Sequence, residues 1–362
     1  MNDNVKKKFF LLIFSILFSL FITEIYLKFI YFNKADLQQV KPHARYMLFQ
    51  EGDVFKPYKN FFKYHSNKKI LSEVFYKIND DFVKEYSYEI ITNNFGLVQN
   101  NNISREKNSI LFLGDSFTEG QGYSAWINKF GGQFKKFQII NGGLLGTGPK
   151  QFEYLENHIS ENFKISKVIV LYLGDDLRRS ILNFDRKNIE CLSDSEKCEG
   201  DENFYGFPLR TTEPSRFLEK LEKFRTKYSK KEITFKNIRR DIKSFFLELY
   251  IVRLPKNFLK NKFYKSKNEK ILNNLSAFSN LIDKYNDNIM FIQLKQKEEI
   301  LYGKRYETIY AEEFIKNKTS NHFDCNFNNE LSNFYKIDGH PNKKGYQALY
   351  ECVSNIMHLN LE

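Results

Sequence analysis

The sequence is poor in cysteine, and no spacing organises what it has. Four Cys in 362 residues are too few for a disulfide scaffold. None of their spacings is that of a zinc site. His43, His65, His158, His322 and His358 also lack ligand spacing, so no metal and no cofactor is expected. No internal repeat is evident, which argues against a solenoid. Tryptophan is nearly missing too, one residue against 37 Phe and 22 Tyr. What is present suffices for a substantial core: 42% hydrophobic and 28% charged residues exclude a disordered tail or a fibre. The length suits one large domain, or one domain with additions.

Charge is unevenly placed. The stretch from Arg216 to Lys270 holds 18 Lys and Arg against 6 Asp and Glu, so it alone accounts for the net charge of +12. An acidic partner fits it, either lipid headgroups or an anionic polysaccharide. A solvated helical face is the plain alternative. Nucleic acid is not expected, because no recognition motif accompanies the patch.

The amino terminus carries the long apolar run. Lys6, Lys7 and Lys8 precede Phe9 to Thr23, which has no charge, and Ile25 to Phe32 continues it with only Lys28 inside. A helix from Phe9 to Phe32 would be about 36 Å long, enough for a bilayer core of about 30 Å. The lysines place residues 1–8 in the cytoplasm and the rest of the chain outside. No A-x-A-like cleavage site follows, so residues 9–32 are expected to be an uncleaved anchor. Glu24 and Lys28, four apart, are expected to pair at the outer interface. Export agrees with an even Cys count. The expected pairs are Cys191–Cys198 and Cys325–Cys352, with four free thiols as the alternative.

Residues 33–85 are polar and aromatic without a clear period and are expected to form a juxtamembrane segment. Beyond them, Ile110–Leu113, Phe137–Ile140, Val168–Leu173 and Ile289–Ile292 are short, nearly continuous apolar runs, each of the first three ended by glycine or Asn-Gly. Such runs are what a parallel sheet covered on both faces requires. Ile271, Leu275, Phe278 and Ile282 fall on one helical face, as do Tyr346, Leu349, Val353 and Ile356. Alternating strand and helix signals predict a three-layer α/β/α domain over residues 86–360, interrupted by an insertion at about residues 178–265.

The first apolar run ends in Gly114-Asp115-Ser116-Phe117-Thr118-Glu119-Gly120. A serine just past the carboxyl end of a buried strand sits where open α/β sheets place ligands. A helix starting there would turn free N–H groups towards a negative oxygen. A serine hydroxyl needs an adjacent base, and Asp338-Gly339-His340-Pro341-Asn342 offers one. His340 is positioned in sequence to serve as that base, with Asp338 to set its tautomer.

Taken together and in this order, these motifs resemble those of the SGNH hydrolases, the GDSL esterase/lipase superfamily, in particular their membrane-anchored bacterial members. Gly114–Phe117 resembles block I. Asn141-Gly142-Gly143-Leu144-Leu145-Gly146-Thr147-Gly148 with Gln151 resembles block II, Gly174-Asp175-Asp176-Leu177 block III, and Asp338–Asn342 block V. Thr92–Leu97 is similar to a segment such members carry before block I. The resemblance implies a flavodoxin-like sheet, Ser116 as nucleophile, His340 as base and Asp338 as its partner. It also implies an oxyanion hole from the N–H groups of Ser116 and Gly143 and a third donor in block III, each such donor contributing about 2.7–4 kcal/mol.

Two positions depart from the pattern. Asp175 stands where the family usually has Asn. A carboxylate there cannot donate and would repel an oxyanion, so Asp175→Asn is expected to raise activity about tenfold; the alternatives are that Asp175 turns away and holds Arg178, Arg179 or a backbone amide of the insertion, or that it is protonated and donates. Only Gly339 separates Asp338 from His340, where many members have two residues. Arg178, Arg179 and Lys297 are candidate contacts for substrate, with a helix surface or solvated loop as the alternative. The implied function is a serine esterase in the bacterial inner membrane, facing the periplasm and acting on O-acyl, foremost O-acetyl, groups of an envelope glycan. The alternatives are an O-acetyltransferase using the same residues, action on a lipid ester, and a non-catalytic module that binds a glycan or a protein partner.

Overall fold

A computed structural model describes residues 3–27, 44–49, 54–58, 61–78, 81–179, 209–210, 269–325 and 330–361, with isolated positions at 239, 249, 251–252 and 255. The chain divides into two compact units, Met1–Lys41 with Thr226–Lys265, and Pro42–Arg225 with Ser266–Glu362. In the first unit, helix α1 (Asp3–Ile25) contains 19 residues, Lys7–Ile25, that are long and apolar enough to cross a membrane. Phe10, Leu11, Leu17 and Phe21 all point outward from it. Glu24 accepts a hydrogen bond from the Ile251 N–H at 3.1 Å; its expected partner Lys28 lies outside the described residues, as does the end of the predicted anchor. The basic stretch Arg216–Lys270 and Cys191 and Cys198 also fall outside them, apart from a few isolated positions.

The second unit is built on a five-stranded sheet ordered β11-β10-β8-β6-β7. Its strands are β6 (Ser109–Gly114), β7 (Gln138–Gly143), β8 (Ile165–Tyr172), β10 (Ile289–Gln293) and β11 (His322–Asp324), and every pairing is parallel. Every residue of β6 and β10 is buried, because helices cover both faces. One face packs on α3 (Pro149–Ser160), α4 (Glu269–Tyr285) and α6 (Tyr306–Lys316), around Leu111, Val170, Phe278 and Phe291. The other packs on the turn Trp126–Gly132 and on α7 (Lys343–Leu361), around Phe112, Ile169, Tyr346 and Val353. This is the predicted α/β/α sandwich, with the four predicted strands in place. A disulfide joins Cys325, just past β11, to Cys352 in α7, with Cα atoms 5.8 Å apart.

The stretch 33–85 differs from its expectation. Residues 44–91 supply β1 (Ala44–Phe49), β2 (Phe55–Pro57), β3 (Phe62–Tyr64), β4 (Lys69–Ile78) and β5 (Asp81–Ile91). They form a second sheet, β5-β4-β1-β9, where β9 is Leu209–Arg210, and a β2–β3 hairpin. A two-residue period is present: Ile70, Ser72, Val74 and Tyr76 of β4, and Tyr86, Tyr88 and Ile90 of β5, are all buried. Serine and tyrosine at inward positions blur the hydropathy alternation that marks a half-buried strand. This sheet closes over Leu144 and Leu145 of the loop after β7 in a third apolar cluster. Between the sheets, Asn93 Oδ1 accepts from the Phe95 and Leu97 N–H groups. Gly96 passes so close to the Tyr64 carbonyl, with φ at 81°, that a Cβ would meet it at 2.1 Å.

Candidate active site

The strand order explains why distant motifs meet. The chain leaves β6 for its neighbour β7, then returns to β8 on the opposite side of β6. That reversal opens a crevice at the carboxyl ends of the strands, where such sheets bind ligands. The Gly-Asp-Ser turn follows β6, the loop 144–148 follows β7, and Gly174–Arg178 follows β8.

Ser116 opens helix α2 (Ser116–Glu119), which Asp115 caps by accepting the Phe117 N–H on Oδ1 at 2.9 Å. Gly114 is required beneath it, since a Cβ there would meet Thr118 Oγ1 at 1.9 Å and the Leu171 carbonyl at 2.6 Å. The loop before α7 brings in the other partners. His340 Nε2 lies 2.8 Å from Ser116 Oγ, and His340 Nδ1 lies 2.6 Å from Asp338 Oδ1. With the proton on Nδ1, Asp338 accepts it and Nε2 is left to accept the serine proton. Ser116 and Asp338 are each 4% exposed and the His340 side chain 13%, so the relay is nearly dry yet open at the imidazole. One residue between Asp338 and His340 is enough, because Asp338 Oδ1 also accepts the His340 N–H at 3.2 Å.

The other candidate positions are placed differently from expectation. The Asp175 carboxylate is engaged by arginines: it pairs with Arg178, with Arg305 Nη1 at 2.9 Å, and with Arg179 Nη2 at 3.8 Å. Arg178 and Arg179 are the partners named in the alternative reading, and Arg305 is an additional one. The Gly143 N–H donates to Asn141 Oδ1 at 3.0 Å, and a Cβ on Gly143 would meet the Glu119 nitrogen at 2.2 Å. Gly143 is thus a packing glycine under α2, and its N–H is already engaged. In the same segment Gly146, at φ 72°, turns the chain so that the Thr147 N–H reaches the Leu144 carbonyl at 3.4 Å.

Arg179 is engaged in a structural cluster. Its Nη1 sits 2.8 Å from Asp115 Oδ2, 2.9 Å from Asp176 Oδ1 and 2.9 Å from the Thr147 carbonyl. Burial, then the charge of Asp115, holds the Asp176 carboxyl well above the usual range. Arg178 is partly exposed and bridges Asp175 and Glu307. Lys297 is buried and donates to the carbonyls of Tyr335 at 2.7 Å and Lys336 at 2.8 Å. It holds the loop that carries Asp338.

Several residues of the site had no motif to announce them. Glu119, three residues past Ser116 and 1% exposed, accepts the Leu145 N–H at 2.6 Å and the Tyr64 hydroxyl at 3.0 Å. Burial pushes its carboxyl up to about 8. Tyr86 and Glu85 bond Asp338, and Gln121 bonds Tyr86. The only signal for Tyr86 was its place in the alternation Tyr86, Tyr88, Ile90.

No family model and no curated relative matches the chain. Among solved structures it is similar to a lipase/acylhydrolase from Enterococcus faecalis, at 10% identity and a TM-score of 0.33, over 69% of this chain and 95% of that one. It is also similar to a member of the lipolytic protein G-D-S-L family from Veillonella parvula, at 11% and 0.35, over 69% and 98%. A third similarity is to an acetyl xylan esterase from the rumen bacterium Butyrivibrio proteoclasticus, at 14% and 0.33, over 83% and 72%. At such scores the functional argument rests on the geometry of this chain.

Proposed function

We propose that the chain is a serine ester hydrolase of the SGNH type. The observation that carries this is the Ser116–His340–Asp338 relay, with contacts of 2.8 and 2.6 Å, at the carboxyl edge of a parallel sheet. His340 Nε2 removes the proton as Ser116 Oγ attacks the ester carbonyl, and Asp338 stabilises the imidazolium. The imidazolium returns the proton to the leaving alkoxide, and an acyl-serine remains. Water, deprotonated by the same nitrogen, releases the acid. The Ser116 N–H at the start of α2 is the donor assigned to the oxyanion.

The substrate we assign is an O-acylated, foremost O-acetylated, glycan of the cell envelope. The support is an amino-terminal helix apolar enough to cross a membrane, with Lys6, Lys7 and Lys8 ahead of its apolar run. Transfer to a sugar hydroxyl in place of water would use the same residues. The test is the full chain in detergent, assayed against p-nitrophenyl acetate and acetylated envelope glycans, with products separated into free acid and transferred ester. Ser116→Ala and His340→Ala should each lower kcat by roughly 10³-fold or more, and Ser116→Ala should end labelling by a fluorophosphonate. Full turnover in Ser116→Ala would overturn the assignment.

A further inference from the structure

We propose that Tyr86 and Glu85, on strand β5 of the second sheet, are positioning residues for the acid–base pair, so that the relay runs Ser116–His340–Asp338–Tyr86. The proposal rests on the ester-hydrolase function above. Asp338 uses Oδ1 for His340, and its other oxygen, Oδ2, accepts the Tyr86 hydroxyl at 2.6 Å. The short contact is that of a hydroxyl donating to a charged acceptor. Tyr86 is itself fixed. Its hydroxyl accepts from Gln121 Nε2 at 2.9 Å, on the segment just after the nucleophile helix, and its ring stacks on Tyr335 at 4.2 Å.

Glu85 holds the same loop by its backbone. Its two carboxylate oxygens accept the Ile337 N–H at 2.5 Å and the Asp338 N–H at 2.8 Å. From the other side, Lys297 Nζ takes the carbonyls of Tyr335 and Lys336. The segment 335–338 is therefore held by an anion on its N–H groups and a cation on its carbonyls. Burial raises the Glu85 carboxyl and lowers the Lys297 amine, and each charge offsets the other's burial.

The consequence is chemical as well as structural. A buried carboxylate with one oxygen unsatisfied is costly. It can relieve that cost by rotating, which would take Oδ1 away from Nδ1. The Tyr86 hydroxyl removes that option and keeps Asp338 in register with the imidazole. The second sheet, absent from the minimal α/β/α design, thus completes the site.

The experiment is Tyr86→Phe in the full chain, with Glu85→Gln beside it and Val83→Ala, an exposed position on the same strand, as the matched control. Active sites are counted by fluorophosphonate labelling, so that loss of folded enzyme is separated from loss of rate. Tyr86→Phe should lower kcat per labelled site about tenfold or more while KM stays within about twofold. With its donor gone, the charge on Asp338 is less shared and stabilises the imidazolium more. The acid limb of the kcat/KM profile should therefore move to higher pH. Glu85→Gln should lower kcat per site less, and Val83→Ala should match the wild type. An unchanged kcat per labelled site with the acid limb in place would overturn the proposal, as would a loss explained wholly by fewer labelled sites. A second arm needs no turnover. The downfield proton resonance of the His340–Asp338 contact, identified by its loss in His340→Ala, should shift in Tyr86→Phe. If it stays put, the positioning role fails even where the hydrolase assignment stands. If it shifts in a chain that hydrolyses no ester, the positioning role stands and the hydrolase assignment fails.

Discussion

Glu119 makes the stability of this chain depend on pH, and replacing it with glutamine should remove that dependence. Burial raises its carboxyl from the ordinary 4.5 to about 8, although the Leu145 N–H and the Tyr64 hydroxyl both favour the anion. Since the folded value lies above the unfolded one, the folded chain holds this proton more tightly. Its contribution is fully present below pH 4.5 and is lost as pH rises to about 8. A gap of about 3.5 units at 1.36 kcal/mol each amounts to roughly 5 kcal/mol over the full window. Between pH 6 and pH 8 the loss is about 2 kcal/mol, which in a domain of this size moves Tm by roughly 4–8 °C. Glutamine keeps the shape, accepts the Leu145 N–H through its carbonyl, and cannot ionise. Thermal or urea unfolding of the detergent-solubilised wild type and Glu119→Gln should therefore show two stability curves that converge below pH 4.5 and separate progressively between there and about pH 8. Other groups titrate in both proteins and cancel in the difference. Parallel curves across pH 5–8 would refute the argument, since they would mean that Glu119 carries no displaced proton.

Other outcomes follow from the same geometry. Asp175→Asn should leave esterase activity flat or lower it, because the carboxylate pairs with Arg178 and Arg305 and asparagine would loosen them; a tenfold rise in kcat would return Asp175 to the oxyanion hole. Replacing Cys325 and Cys352 by serine opens a crosslink with a sequence separation of 27, and chain entropy assigns that a loss of roughly 3–4 kcal/mol. Unfolding with and without reductant measures it, and equal stability would count against the crosslink. The full chain should pellet with membranes and resist carbonate extraction through Lys7–Ile25, and a mature amino terminus near residue 30 would show cleavage in its place.

What local sequence carries, it carried here. Strands β6, β7, β8 and β10 are legible because a strand covered on both faces must be apolar at nearly every position. Ser116 and the Asp338–His340 pair, which the fold brings into contact, are legible as candidates because the proposed nucleophile turn and base need particular residue types at short spacing. The apolar amino-terminal helix is legible because its composition is one-dimensional. Partner choice is not. Asp175 and the Gly143 N–H were expected at the oxyanion from the resemblance, yet the arginines around Asp175 and Asn141 Oδ1 at the Gly143 N–H are met only after folding. Tyr86 lies 252 residues from Asp338 along the chain, and no spacing rule reaches so far. The second sheet was hidden because Ser72, Tyr86 and Tyr88 face inward, where a hydropathy pattern expects aliphatic side chains. Burial on folding makes those polar positions interior ones, and hydrogen bonds with Asp338 and Gln121 are what satisfy Tyr86 there.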